Sequence, residues 1–315
     1  MALLLETVLF VFGLIALGYL SGVTGYLSTD TGEALSRFAV RVALPLLLFR
    51  TMGSADFQGG LPWAIWCAYF IAVIIAWIAG HLLVTRLFGR DGAAGVVGGV
   101  SSAFSNLLLI GIPFTQGVFG QKGFETLSLL LAIHLPTMMM ASIILFQLFG
   151  GGGGQLRLAE AVEQFFSRTL RNPLIIGVLM GLLWRATGIA MPAVPARLVD
   201  SLAAIASPLA LFAVGLSLRQ YGLSGHFGPA LALTAVKLVL MPAVALAASL
   251  WLGLSPLAAQ VVVCAAALPA GVNSYLIAMQ FGTGQALASN VMTIATALAI
   301  LSISGWLLVL QAIYG

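Results

Sequence analysis

Apolar residues in this chain fall into long continuous blocks separated by short polar stretches. A helix needs about 20 apolar residues to cross roughly 30 Å of hydrocarbon. Ten blocks meet that requirement, at about 5–22, 34–52, 62–88, 92–119, 123–149, 172–189, 196–218, 227–252, 256–281 and 285–312. They are rich in Leu, Ala and Ile and lack the alternation that a membrane β-barrel needs. The pattern predicts an all-α membrane protein with ten transmembrane helices. One stretch differs. Five consecutive glycines, 150–154, precede a segment over 156–170 in which Leu158, Val162, Phe165 and Phe166 alternate with Arg157, Glu160, Glu163 and Arg168. This reads as a flexible linker and an amphipathic helix on the cytoplasmic membrane surface. It divides the chain into 1–149, the joint 150–171, and 172–315.

Composition strengthens the membrane reading. Of 315 residues, 61% are hydrophobic and 7% charged, whereas a soluble domain carries about 25% charged residues. So few charges cannot cover a water-facing surface, and lipid is the expected partner of the outer faces. The first apolar block lacks the basic start and clear cleavage site of a signal peptide. Cys67 and Cys264 both lie in apolar blocks, so neither a disulfide framework nor a metal site is expected. A net charge of +4 leaves no footprint for nucleic acid. It serves better as a topology signal. With both termini outside, seven arginines (37, 86, 90, 157, 168, 171 and 219) face the cytoplasm, against Arg50, Lys122, Arg185 and Arg197 outside.

The two halves resemble each other. A shift of 163 residues lays Gly18 on Gly181, Thr24-Gly25 on Thr187-Gly188, Pro45-Leu46 on Pro208-Leu209 and Leu48-Phe49 on Leu211-Phe212. A shift of 167 lays Asn106 on Asn273 and Leu109-Ile110 on Leu276-Ile277. Five spans per half is an odd number, so the second half enters the membrane with opposite orientation. Inverted repeats of this kind typify secondary transporters, whose sites lie near the midplane and use discontinuous helices.

Matched interruptions exist. Ser105-Asn106 precedes Gly111-Ile112-Pro113 in the fourth span, and Pro269-Ala270-Gly271 precedes Asn273-Ser274 in the ninth. Backbone freed by a break at this depth must face protein or water. Half-helices beginning at two converging breaks would present N–H groups that bind an anion without a basic side chain. Ser105, Asn106, Pro113, Pro269, Gly271, Asn273 and Ser274 are therefore the candidate substrate-binding residues. Simple proline kinks glued by Ser and Asn are the plainer alternative. Pro45 and Pro208 form a second matched pair, expected to bend flanking helices.

Three charged or titratable residues stand out within the spans: Lys237 near the middle of the eighth, Arg41 and His134. A charge at the bilayer centre costs about 2.5–3.5 kcal/mol on insertion scales, so each is a functional candidate. Lys237 could neutralise a substrate carboxylate, stand where a coupling cation would bind, carry a coupling proton, or simply satisfy freed carbonyls. Arg41 precedes Pro45 by one turn and could snorkel to the inner interface. His134 lies two residues before Pro136 and is either a satisfied polar group or a proton relay. All nine acids fall at span ends or in loops. A positive or neutral interior suits an anion rather than a cation.

Five stretches, Asn106–Pro113 (NLLLIGIP), Asn172–Gly181 (NPLIIGVLMG), Pro208–Leu218 (PLALFAVGLSL), Lys237-Leu238 with Pro242, and Leu268–Asn273 (LPAGVN), together resemble the auxin efflux carrier family over essentially the whole chain. The resemblance implies two inverted five-helix repeats in which helices four and nine cross at their breaks, as in bile-acid symporters and some sodium/proton antiporters. Asn106, Pro113, Pro269 and Asn273 match the crossover. It also implies a carrier of auxin or of carboxylates such as malonate and malate, with a homodimer as the associated assembly. The short central segment 150–171 departs from plant members and favours a bacterial-type organic-anion carrier in the inner (plasma) membrane.

An intramembrane enzyme would need a nucleophile–base pair or metal cluster. His81, His134 and His226 lie in separate segments without acid partners, so no enzyme, cofactor or metal is expected. The remaining alternatives are an anion channel and a sodium-coupled symporter of the bile-acid type. H+ and Na+ both stay open as coupling ions.

Overall fold

A computed structural model describes residues 2–54, 62–150, 171–221, 225 and 227–315. The segment expected to form a surface helix, 156–170, lies outside these residues, as do the glycines 151–154 and His226. Every named element among the described residues is helical. The α-helices are α1 (Ala2–Val23), α2 (Thr29–Phe38), α3 (Leu44–Ser54), α4 (Trp63–Leu82), α5 (Gly92–Ala103), α6 (Ile112–Phe149) and α7 (Pro173–Ala186). They continue as α8 (Ala193–Ala204), α9 (Ala206–Tyr221), α10 (Phe227–Ala235), α11 (Met241–Trp251), α12 (Pro256–Ala267), α13 (Val272–Gln280) and α14 (Gln285–Tyr314). Among the described residues six helical stretches are long and apolar enough to cross a membrane, and α5, α7 and α12 are shorter apolar helices. Large apolar side chains such as Phe10, Ile74, Leu183 and Leu301 are exposed on their outer faces, as a lipid-embedded surface requires. This is an integral membrane protein.

Polar residues set the helix starts. Asp91 caps α5 by accepting from the Ala94 N–H at 2.7 Å, and Asn172 caps α7 by accepting from the Leu174 N–H at 3.0 Å, with Pro173 at the first helical position where no N–H is needed. Inside α6 the backbone leaves helical geometry at Gly120 (φ 64°), which separates the fourth and fifth predicted spans. Pro136, in contrast, sits within continuous helix.

The prolines follow a local rule. Among the described residues four π turns interrupt the helices: Ala39–Ala43, Leu83–Leu87, Leu107–Gly111 and Val236–Leu240. The first, third and fourth each end two residues before a proline, namely Pro45, Pro113 and Pro242. A helical proline lacks an N–H and its ring collides with the carbonyl four residues earlier. A π turn widens the preceding backbone and makes room. For Pro242 the orphaned carbonyl belongs to Leu238. It accepts from Ser302 Oγ at 2.7 Å and from Trp306 Nε1 at 3.0 Å, one helical turn apart on α14. Pro208 instead follows the interruption at Ile205 between α8 and α9.

The chain divides into two compact units. One contains α1–α3, Leu108–Ile133 and α7–α9; the other contains α4, α5, α6 from His134 onward and α10–α14. In the first unit, glycines let helices meet at backbone distance. A Cβ on Gly18 would sit 2.1 Å from the Phe212 carbonyl oxygen, one on Gly181 2.5 Å from that of Phe49, and one on Gly215 1.9 Å from that of Ile15. Arg219 adds a hydrogen bond from its guanidinium to the Gly22 carbonyl. The second unit packs α4 on α5 and α11, and α14 on α10, α12 and α13, around a core that includes Val84, Leu233, Leu287 and Val291.

These contacts predict opposite outcomes for similar substitutions in α1. Gly18→Ala forces backbones apart and should cost about 1–3 kcal/mol, as overpacking does. Gly13→Ala, where a Cβ meets nothing within 4 Å, should be neutral or stabilising, because alanine favours helix over glycine by about 1 kcal/mol. Thermal midpoints of the detergent-purified variants check both.

Candidate functional site

The two predicted breaks meet. After α5 the chain is extended at Phe104, and after α12 it is extended at Leu268. The two unwound segments pair as a single antiparallel bridge between Ser105 and Ala270. Asn106 N–H donates to the Pro269 carbonyl at 2.9 Å, and Gly271 N–H donates to the Phe104 carbonyl at 3.1 Å. In an apolar interior, unpaired backbone groups are expensive. Each break therefore supplies the partners that the other lost. All of these residues belong to the second unit.

Ser105, Pro269, Gly271 and Ser274 are buried, whereas Asn106 and Asn273 are only partly so. The Asn106 side chain lies against Gly271, whose Cβ position falls 3.4–3.7 Å from Asn106 Cα, Cβ and Cγ. Ser274 Oγ donates to the Gly271 carbonyl at 2.8 Å. Helix α13 starts at Val272 with Gly271 as its N-cap, and no side chain caps it. Ser274 N–H turns back to the Gly271 carbonyl at 3.2 Å, and the N–H groups of an uncapped helix start carry partial positive charge.

The first break differs from expectation. The chain enters the π turn Leu107–Gly111 there, and Leu107 N–H is taken by the Ser105 carbonyl at 2.9 Å. Of the two α-helical N-termini expected at the breaks, only α13 supplies one. Pro113 is buried at the second position of α6, past that turn, and groups with the first unit.

Lys237 supplies a second positive group. It lies in the π turn Val236–Leu240 and is fully buried. Its Nζ donates to Ser105 Oγ at 2.9 Å, to the Ala266 carbonyl at 2.5 Å and to Met241 Sδ at 3.2 Å. It thus ties the first break to the last turn of α12. Three N–H donors meet three acceptors, which is the complement of an ammonium. Arg37–Glu33 and Arg50–Asp200 form ion pairs, whereas none of the three partners of Lys237 Nζ is a carboxylate.

His134 is also buried. Its ring stands edge-on to Phe104 at 4.9 Å and to Tyr69 at 5.5 Å between centroids. Neither ring nitrogen has a partner meeting hydrogen-bond geometry, nor does the Tyr69 hydroxyl. Lys237 thus bonds Ser105, while the His134 ring packs between Tyr69 and Phe104, the residue before that serine. Tyr69 was not legible as a site residue; nothing in its span distinguishes it. Arg41 lies elsewhere, exposed in the π turn Ala39–Ala43 of the first unit. Among the described residues no group of three or more His, Cys, Asp or Glu could hold a metal.

Removing Ser105 Oγ should be costly. Hydrogen bonds to charged groups contribute about 1.5–3 kcal/mol, and Ser105→Ala should lower stability by that order, read as a fall in thermal midpoint. Gly271→Ala should be tolerated at ordinary contact distance, while Gly271→Leu should displace Asn106 and weaken ligand binding, measured by isothermal titration.

Comparison with known proteins shows the family to which the chain belongs. The family described as "Membrane transport protein" matches residues 3–307. An "Uncharacterized transporter" of Methanothermobacter thermautotrophicus is 29% identical over 314 residues, covering 97% of this chain and 98% of its own. A "Putative malonate transporter" of Rhizobium meliloti is 29% identical over 326 residues, covering 96% and 94%. The mouse "Lysosomal cholesterol signaling protein" is 25% identical over 217 residues, covering 66% of this chain and 25% of its own. The chain belongs to the membrane transport protein family, the auxin efflux carrier family that its motifs resemble.

Proposed function

We propose that this protein is a secondary transporter that carries a small organic anion, a mono- or dicarboxylate of the malonate or malate kind, by alternating access. The observation that carries this reading is the pairing of two broken helices at Ser105 and Ala270. Around it stand two part-exposed asparagines, the N-terminus of α13 with no side-chain cap, and a fully buried lysine with no carboxylate partner among the described residues. Positive partial charge from a helix N-terminus suits a carboxylate. The amides of Asn106 and Asn273 can donate to its oxygens. The name of the Rhizobium meliloti relative supports the same substrate class.

Ten spans in two inverted five-helix repeats fit the element spacing. Helix starts recur at an interval of 164 residues, from Thr29 to Ala193, Trp63 to Phe227 and Gly92 to Pro256. Gly18 packs on Phe212 while Gly181 packs on Phe49, which under the 163-residue shift is the same contact with the partners exchanged. Such reciprocity supports a two-fold relation between the halves. The unit containing α1–α3 and α7–α9 is the scaffold, and the unit holding the crossing carries the substrate. The protein works in a bacterial inner membrane with both termini outside.

A ligand that binds only the folded state stabilises it by mass action, by about 2.7 kcal/mol at 100 times its Kd. Purified protein should be stabilised by one member of a panel of malonate, malate, succinate and indole acetate. Asn273→Ala and Asn106→Ala should keep the apo thermal midpoint and lose both that shift and uptake of the labelled anion into proteoliposomes. Wild-type transport by both variants would sink the site assignment.

A further inference from the structure

We propose that a cavity in the first unit holds the phosphate headgroup of one anionic phospholipid, between Arg50 on α3 and Arg185 on α7. The cavity has a volume of about 420 Å³ and is lined by α3, the end of α7, the turn that follows it and α8. Pockets for small ligands span about 300–1,000 Å³. Every lining residue belongs to the first unit, so the inference is independent of the anion site at the crossing. The cavity opens where two helices stop touching. A Cβ on Gly177 would sit 2.4 Å from the Pro45 carbonyl oxygen, and one on Gly181 2.5 Å from that of Phe49. One turn further along α3, a Cβ on Gly53 would meet only the Gly181 carbonyl oxygen, at 3.7 Å. The corresponding corner of the other half is packed. Under the 163-residue shift Gly53 corresponds to Leu216, whose side chain lies 3.0 Å from a Cβ on Gly22 and 3.1 Å from one on Gly32. Gly22 corresponds in turn to Arg185, and Gly32, at the 164-residue interval between α2 and α8, to Ala196. Both line the cavity. Glycine thus stands in place of leucine, and arginine in place of glycine, at the corner that forms the cavity.

The chemistry of the lining selects the ligand. Arg50, Arg185 and Asp200 leave one positive charge in excess. Arg50 Nη1 donates to Asp200 Oδ1 at 3.4 Å, which orients the guanidinium. Five N–H donors let it grip a phosphate as well, in the two-pronged geometry that arginine favours. Phe49, Trp184, Ile189, Met191 and Val199 make the remaining walls apolar. A free phosphate gains nothing from such walls, whereas a headgroup followed by glycerol esters and acyl chains does. Position agrees with this choice. Helix α3 ends at Ser54 and α7 at Ala186, which puts both arginines at a membrane boundary, where tryptophan also concentrates. Along α7 the exposed side chains of Ile176, Leu179, Met180 and Leu183 form one apolar stripe that leads to Trp184, a track for an acyl chain. A zwitterionic headgroup carries its own ammonium and would leave the excess charge uncompensated, so an anionic lipid is the better match.

Lipid titration of delipidated protein in a nonionic detergent tests the proposal, read by native mass spectrometry and by thermal midpoint. One phosphatidylglycerol should stay bound per protomer, with affinity about tenfold above that of phosphatidylcholine, the effect of one charge-assisted hydrogen bond. It should raise the thermal midpoint saturably, as a ligand of the folded state does. Gly53→Leu puts into the cavity the side chain that the other half carries, and should keep the fold while losing both the bound lipid and the shift. Arg50→Gln combined with Arg185→Gln should bring phosphatidylglycerol down to the phosphatidylcholine level. Wild-type phosphatidylglycerol binding in Gly53→Leu or in the double variant overturns the idea. Inorganic phosphate that displaces the lipid and reproduces its shift at equal concentration overturns it too, by marking a soluble-anion site. A monomer–dimer ratio that changes in lipid-free Gly53→Leu assigns the cavity to a contact between copies and rejects the lipid. Should the double variant not fold, Gly53→Leu and the single Arg185→Gln still decide.

Discussion

Two main-chain hydrogen bonds, Asn106 N–H to Pro269 and Gly271 N–H to Phe104, make the centre of the second unit possible. Two extended segments inside a lipid-facing bundle would each leave donors and acceptors with no water to satisfy them. Crossing as an antiparallel bridge cancels much of that cost in one place. The arrangement also frees what a continuous helix conceals: an uncapped helix start at α13, a set of end carbonyls at α12, and side chains on both strands of the bridge. The polar chemistry of the unit gathers at that point because the backbone there is already polar.

The same accounting explains the prolines. Each of three helices opens into a π turn two residues before a proline, and for Pro242 the stranded carbonyl finds two donors on α14. Lys237 is carried on that same π turn. Widening a helix at such a point costs regular hydrogen bonding, and π turns concentrate at functional positions. Here the widened turn accommodates a proline and holds a lysine whose Nζ reaches across to the first break and to α12. Structural accommodation and site building share one local distortion.

Glycine does complementary work in the first unit. At Gly18, Gly181 and Gly215 helices approach until a carbonyl occupies the space a Cβ would need. In lipid, helix association depends on such close packing, because the hydrophobic effect between helices is largely absent. A body assembled this tightly is suited to remain rigid, which fits the scaffold role proposed for it.

Much of this was legible in the sequence. Apolar blocks of membrane length mark the spans because hydrocarbon thickness sets a minimum length. The two Pro/Gly interruptions mark where helices break, because a missing N–H group is a property of a single residue. Pairing of Gly18 with Gly181 and of Phe49 with Phe212 pointed to positions that do turn out to be packing contacts. Tertiary structure alone decided who meets whom. Ser105 and Lys237 are 132 residues apart, and the sequence left the lysine's role divided among four readings. It equally could not single out Tyr69 beside His134, or choose Ser302 and Trp306 as donors for Leu238, or show that the first break opens into a π turn rather than an α-helical N-terminus. The physical reason is that burial length and backbone breaks are local constraints written residue by residue. The partner of a buried polar group is chosen by which distant helix the fold brings within 3 Å.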